Sequence, residues 1–481
     1  MLDSHILPPE IWCMVWQDMS FDDRVSATHV SRYWRHVARS CPRLWTHLQF
    51  YSTVHHVECE CAICGPYELD TRAIWKQPGK TNYQLVLNAL PLSGSLPVHL
   101  DVHVSPFYSD HGLLEDFGMD IQNSDSGAAD RLASLQVVFD DPDTLMWLLS
   151  GLGSLPSLTS LITRAVTSEA IRFSHVRAWR NNAIHLPSLR TLVLDNMRWQ
   201  CPDRQWPIHL PSLEYLTCPL TDPDEVVRVL DACPALKTLL IVVPSEDQDE
   251  HFEPDWMLDG PTLARLARIP SVHVIGVSDF ETEKWAIRNF GSIPDRPDFV
   301  LHYLPNAVPL HSNRLLAEMR DITAFSLTRA YNSSVTVLAI QNSQGIRRRI
   351  LFGPAHLGNL CPTRIIFGPN STQLTTLHLS APFAFLITDR LPHLTSLVVE
   401  IVAETDLAAF KVPMNTLVPA LQSLCIVNIG PTYRLGVRAE VLAAVLVSLC
   451  GVVALKEVTL KGVALYGDMR FLQGRVQRMI F

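Results

Sequence analysis

The chain has no apolar run long enough to cross a bilayer. The longest, from Val441 to Leu455, falls short of the roughly 20 residues a spanning helix needs and is broken by Ser448 and Gly451. It also lacks a basic start leading into an apolar segment, so the opening MLDSHILPPE predicts no secretory signal. Positive charge is not in excess. With 39 Lys and Arg against 48 Asp and Glu, the net charge is −9 and the pI about 6.1, which argues against a general nucleic-acid binder. The 11 cysteines are scattered through apolar segments without the spacing of a disulfide framework, so reduced thiols are expected. No G-x-x-x-x-G-K-S/T, H-E-x-x-H, G-x-S-x-G or strand-linked G-x-G-x-x-G is present. A catalytic reading therefore has no residue to point to, and the expectation is a non-enzyme without a cofactor. What remains is 47% hydrophobic with mean hydropathy +0.13, ample for a core. A soluble protein of the cytoplasm, the nucleus or both is predicted.

Two clusters invite a metal reading. His55, His56, Cys59, Cys61 and Cys64 crowd into HHVECECAICGPYE. Structural zinc normally draws on two separated ligand pairs, and no second pair follows. A polar loop with free thiols is the default, and no bound metal is expected. His99, Asp101 and His103 alternate with Val98, Leu100, Val102 and Val104, which reads as a half-exposed strand with a solvated polar face.

The most informative stretch runs from Leu7 to Trp45. Pro8 and Pro9 suit a first helical turn, where a missing N–H costs nothing, and Glu10 sits near the positive end of the helix dipole. Ile11, Met14, Val15 and Met19 recur at near-helical spacing. Ser20 with Asp23 restarts the pattern as an N-cap. A second helix carries Val25, Thr28 and Val30, and a third carries Trp34, Val37 and Ala38 before Pro42 and Leu44-Trp45 close the unit. Three short helices bury little by themselves. They either cap a larger core or dock another protein.

LPPEI, then VSRYWRHVA, then a terminal LW, in that order and spacing, resembles the F-box. Leu7, Pro8 and Glu10 match the opening motif, Val30, Trp34 and Val37 the middle one, and Leu44-Trp45 the last. Ser31 stands where many members have Cys. The resemblance implies binding of a Skp-type adaptor and, through it, a cullin, in an SCF-type ubiquitin ligase. It assigns that contact to Leu7, Pro8, Glu10, Ile11, Val15, Val30, Trp34 and Val37.

Beyond residue 130 the dominant signal is repetition. L-x-x-L-x-L segments begin at 132, 158, 189, 213, 236, 374, 394, 421 and 455, with weaker versions at 272 and 335. Several are introduced by a proline, as at Pro156, Pro187, Pro211, Pro234, Pro392 and Pro419, which marks a strand boundary. Helical patterns lie between, such as Asp224 to Ala232 and Arg438 to Leu449. One strand plus one helix cannot bury its apolar face alone, whereas stacked units can. The pattern looks like a degenerate leucine-rich repeat array. Met197, Thr221, Pro244 and Val402 stand where an Asn or Cys usually follows the strand.

The expected fold is thus α/β: a three-helix F-box at residues 1–50, a linker with a helix and a strand at 51–130, and an irregular leucine-rich-repeat solenoid at 131–481. In that solenoid parallel strands form one face and helices the other. The whole is similar to F-box proteins of the fungal F-box-like type. An unknown target protein is expected on outward strand positions, namely Thr191, Val193, Asp195, Thr376, His378, Ser380, Ser396, Val398 and Glu400. The acidic run 245–255 and the triplet Arg347-Arg348-Arg349 read first as solvated loops. The triplet could alternatively meet an acidic or phosphorylated partner. Arg32, Arg35 and Arg39 fall on one side of the third helix. The competing reading is an interaction scaffold outside any ubiquitin ligase, its helices only capping the repeats.

Overall fold

The computed structural model describes residues 7–52, 81–104, 111–139, 142–165, 171–172, 186–195, 197–198, 209–243, 255–307, 309, 315–316, 319–329, 335–353, 373–386, 390–410, 418–431, 434–450 and 454–481. The crowded Cys59, Cys61 and Cys64 and the acidic run 245–254 lie outside them. The chain divides into two compact units, Met1–Phe252 and Glu253–Phe481.

The first unit opens with helices α1 (Pro9–Gln17), α2 (Phe21–Val30) and α3 (Arg32–Arg39). Their starts are local chemistry. Pro8 occupies the N-cap of α1 with extended backbone, and Glu10 lies in its first turn. The Ser20 side chain accepts the Asp23 N–H at 3.2 Å, and Ser31 accepts that of Trp34 at 3.1 Å. The departure from Cys at position 31 therefore supplies a cap.

A tight turn, Pro42–Trp45, leads into β1 (His47–Tyr51). The sheet continues through β2 (Val98–His103), β3 (Leu132–Phe139) and β4 (Ser160–Ala165). The short β5 (Ile171–Arg172) precedes β6 (Thr191–Asp195), and β7 (Met197–Arg198) precedes β8 (Tyr215–Pro219) and β9 (Thr238–Val242). Strands β1-β2-β3-β4-β6-β8-β9 lie side by side in chain order, all parallel, with β5 and β7 a separate small pair. β2 belongs to this sheet, in register with β1 and β3.

The motif leucines explain the stacking. Leu135, Leu161, Leu192, Leu216 and Leu239 occupy one register row across five strands, and every one is fully buried. Each contributes about 1.5–3 kcal/mol relative to an exposed position. Behind the sheet, helix His111–Gln122 packs on helix Pro142–Leu152. A Cβ on Gly118 would lie 2.8 Å from the Leu148 carbonyl oxygen, so only glycine permits that approach.

The second unit contains β10 (Ser271–Val277), β11 (Asp298–Tyr303), β12 (Ile322–Arg329), β13 (Thr336–Asn342) and β14 (Arg347–Phe352). There follow β15 (Thr376–Ser380), β16 (Ser396–Ile401), β17 (Ser423–Asn428), β18 (Leu435–Arg438), β19 (Leu455–Lys461), β20 (Val463–Tyr466) and β21 (Val476–Ile480). Its sheet runs β10-β11-β14-β13-β12-β15-β16-β17-β19-β21. Every neighbour is parallel except β13, which opposes both β14 and β12. The weak motif at 335 is therefore a reversed strand, not another parallel unit. The Asn342 side chain accepts the N–H groups of Gln344 and Ile346 at 3.0 and 2.9 Å, and Gly345 takes φ +84°, so the chain doubles back at once.

Two of the positions where the repeat pattern predicts an Asn or Cys, Thr221 and Val402, have their backbone N–H taken by a carboxylate. The Glu225 carboxylate, from helix Pro223–Ala232, accepts the Thr221 N–H at 2.6 Å. Asp406 Oδ2 likewise accepts those of Val402 and Ala403 at 2.7 and 3.0 Å. In both places a carboxylate four residues downstream satisfies the backbone.

Candidate protein-docking surfaces

The first candidate surface is α1. Trp12, Trp16 and Trp34 form one aromatic cluster, with ring centroids 5.6 Å (Trp12 to Trp16), 4.6 Å (Trp12 to Trp34) and 5.3 Å (Trp16 to Trp34) apart. That cluster claims one side of α1 for the helices' own interior. The other side carries Ile11, Met14 and Val15 at i, i+3 and i+4, exposed by 40, 65 and 48%. Leu7 and Met19 extend the apolar surface at either end, and Val30 is exposed at the end of α2. Pro8 and Glu10 are exposed as well. Among described residues nothing covers this face, and exposed apolar patches of this kind mark interaction sites.

Trp34 is half-buried within the cluster, and Val37 is only 2% exposed, so both pack against the helices' own interior.

The helices are fastened to the sheet by the buried Arg24. It donates through Nη1 to the Leu44 carbonyl and through Nη2 to that of His47 at 2.6 Å. Trp45 Nε1 donates to the Ala38 carbonyl at 2.8 Å. Arg35 is spent on the Thr28 carbonyl at 3.0 Å, whereas Arg32 and Arg39 are exposed.

The second candidate surface is the outward face of the strands. Thr191, Val193 and Asp195 share it in β6, half-buried, with Asp195 paired to Arg164 at 2.8 Å. In the second unit Thr376 lies in register with Ser396, His378 with Val398, and Ser380 with Glu400. His378 Nε2 meets Glu400 Oε1 at 2.9 Å. Ser380 is 2% exposed, and its hydroxyl donates to Glu400 Oε2 at 2.7 Å while accepting the Arg329 N–H at 2.9 Å. Ser380 is thus consumed internally. The Glu400 carboxyl sits below its ordinary range: burial pushes it up, and the contacts from His378 and Ser380 outweigh that.

The arginine triplet is no loop. Residues 347–349 begin β14, so their side chains alternate. Arg348 turns inward, donating to the carbonyls of Arg296, Arg347 and Ile293 at 2.9, 2.9 and 3.0 Å. Arg349 pairs with Asp298 through two hydrogen bonds, 3.2 Å to Oδ1 and 2.5 Å to Oδ2. Arg347 is exposed. Around Asp298, Ser271 Oγ donates at 3.0 Å and His273 Nε2 lies 3.6 Å away. Ser271 Oγ also lies 3.0 Å from His273 Nε2. Burial pushes the Asp298 carboxyl up, but His273, Arg349 and Ser271 together hold it well below the usual range. Sequence reasoning missed this cluster because its members come from three strands far apart in the chain.

His302, stacked on His273 with centroids 5.9 Å apart, is lowered to about 4 by burial, then by His273 and Arg349. It binds a proton less readily folded than unfolded, so protons favour the unfolded chain. Stability present above about pH 6.5 is expected to fall as pH drops towards about 4, by on the order of 2 kcal/mol after allowing for solvent screening. Urea midpoints across that range check this. His302→Gln should remove most of the slope, and an unchanged slope would refute the assignment. Loss of the Asp298 interactions adds in the same direction at lower pH.

Among the described residues no group of three or more His, Cys, Asp or Glu is placed to hold a metal, and no helix is long and apolar enough to cross a membrane. His99, Asp101 and His103 share the outward face of β2, where His47 stacks on His99 at 4.4 Å and Tyr51 on His103 at 5.2 Å.

The family model described as F-box-like matches residues 5–51, which are the three helices, the following turn and β1. No curated protein matches the chain.

Proposed function

We propose that this chain is the substrate-recognition subunit of a cullin-type (SCF) ubiquitin ligase. The F-box-like helices dock a Skp-type adaptor, and the strand arrays act as an irregular leucine-rich-repeat solenoid of the fungal F-box-like type that holds a target protein. The chain itself performs no chemistry. It raises the concentration of its target beside the ligase, in the cytoplasm, the nucleus or both. The observation that carries this reading is the exposed stripe of Ile11, Met14 and Val15 on a helix within the F-box-like match. A stable interface buries about 1,200–2,000 Å² with a few residues dominating, and this stripe is placed to be its centre.

The test is capture of purified Skp-type adaptor by the full chain. Ile11→Asp with Val15→Asp is expected to weaken capture by about tenfold or more without lowering the melting temperature, since both side chains are exposed. Undiminished capture would sink the docking claim. Deleting the helices is a poorer test, because β1 lies inside the same match. A second reading, a scaffold whose helices merely cap the sheet, draws on Arg24 fastening α2 to the strand edge. It expects no adaptor capture by the parent chain.

A further inference from the structure

The reversed strand β13 gives the second unit's outward face a local shape that no parallel neighbour has. Arg349 is in register with Ala339, Ala339 with Ser326, and Ser326 with His378. One row along, Arg347 is in register with Gln341, Gln341 with Ala324, and Ala324 with Thr376. Between the long side chains of β14 and those of β15 the floor is Ala339, Ser326 and Ala324, all only half-buried, while Gln341 stands beside Arg347 and accepts from its Nη2 at 3.5 Å. Three inter-strand steps make the trough about 14 Å wide, room for one extended polypeptide.

Arginine outnumbers carboxylate beside the trough, with Arg347, Arg349 and Arg329 against Asp298 and Glu400. The carboxylates beside it are already engaged, Asp298 by Arg349 and Glu400 by His378 and Ser380. Arg347 is exposed on one wall and Arg329 is exposed where β12 ends. Among the described residues neither meets a carboxylate. The positive charge left over seeks a negative partner, and an arginine fork suits a carboxylate in particular.

We propose that the outward face of β14-β13-β12-β15 docks an extended, carboxylate-rich segment of the target protein. This rests on the substrate-receptor reading above and deepens it by naming the chemistry of what is received. Small floor residues admit the peptide backbone, Arg347 takes a glutamate or aspartate, and the His378–Glu400 pair forms the far wall.

The experiment measures fluorescence anisotropy of a labelled peptide of alternating glutamate and threonine with the full chain. Saturable binding is expected, weakened by raised salt and by about tenfold or more in Arg347→Glu. Ala339→Phe, which fills the floor without touching a charge, should weaken it comparably. The same peptide with lysine for glutamate should not bind. The proposal is overturned if the glutamate peptide fails to bind, if the lysine peptide binds equally, or if both substitutions leave affinity unchanged. Binding confined to a phosphoserine version overturns the carboxylate assignment. Adaptor capture measured on the same Arg347→Glu protein should be unchanged, so a failure here is separable from a failure of the docking claim at α1.

Discussion

Trp16→Ala is expected to destabilise the N-terminal helices by about 3–5 kcal/mol and, as a consequence, to abolish adaptor capture. Trp16 is 1% exposed and touches both Trp12 and Trp34, so it is the piece through which α1 adheres to α3. Three helices of 9, 10 and 8 residues have too little other apolar area to absorb the loss. Each aromatic pair is also worth about 0.5–1.5 kcal/mol beyond burial. Trp16→Phe should recover most of the deficit. Thermal unfolding followed by circular dichroism, run beside the adaptor pull-down, distinguishes this variant from Ile11→Asp with Val15→Asp, which should lose capture and keep stability. A Trp16→Ala protein with the parent's melting behaviour would show that the helices cohere through something else.

The second large effect is expected at Arg296, in the other unit. Its side chain is fully buried, with Nη1 donating to the Phe290 carbonyl at 2.5 Å and Nη2 to that of Leu266 at 3.1 Å. Those carbonyls belong to a wide helical turn, Ile287–Gly291, and to the end of helix Gly260–Leu266, where the Leu266 carbonyl also accepts the Ile269 N–H at 3.1 Å. Burial, then the neighbouring Arg348 charge, lowers the guanidinium to about 9, still protonated at neutral pH. Arg296→Ala removes both of these buried donors and opens a cavity, for an expected cost of about 3–5 kcal/mol. Arg296→Lys should recover part of it, since an ammonium reaches one acceptor but cannot fork to two. Urea unfolding monitored by the fluorescence of Trp256 and Trp285, which pack together at 5.0 Å in this unit, reads the change. A cost below about 1 kcal/mol would mean that water replaces the guanidinium.

Two helix starts were legible residue by residue. Pro8-Pro9 fits a first turn with no N–H to lose and Ser20 caps an N–H three positions on, and effects that short do not depend on the rest of the fold. Ser31 stood out in the sequence only as a departure from Cys. The strands beginning near 191, 238, 376 and 396 were equally legible, since L-x-x-L-x-L repeats in the chain as it repeats in space. The F-box resemblance likewise rests on contiguous motifs, and the family match covers the same residues.

Other features had no local signature. Alternation of apolar and polar residues is the same for a parallel and an antiparallel strand, so the direction of β13 was set by the turn at Asn342 and by the partners waiting on either side. Arg348 and Val37 look from composition like surface and interface residues. Each turned inward because a strand or helix presents alternate faces, and the neighbouring elements decide which face is covered. Glu225 and Asp406 accept backbone N–H groups at the strand ends from helical turns that sequence alone did not bring back there. The sequence by itself therefore determined what is carried by neighbours in the chain: helix caps, repeat spacing and the apolar stripe of α1. Only the tertiary structure decided what depends on groups far apart in the chain, because strand pairing, side-chain burial and charge pairing are settled by whichever surfaces meet.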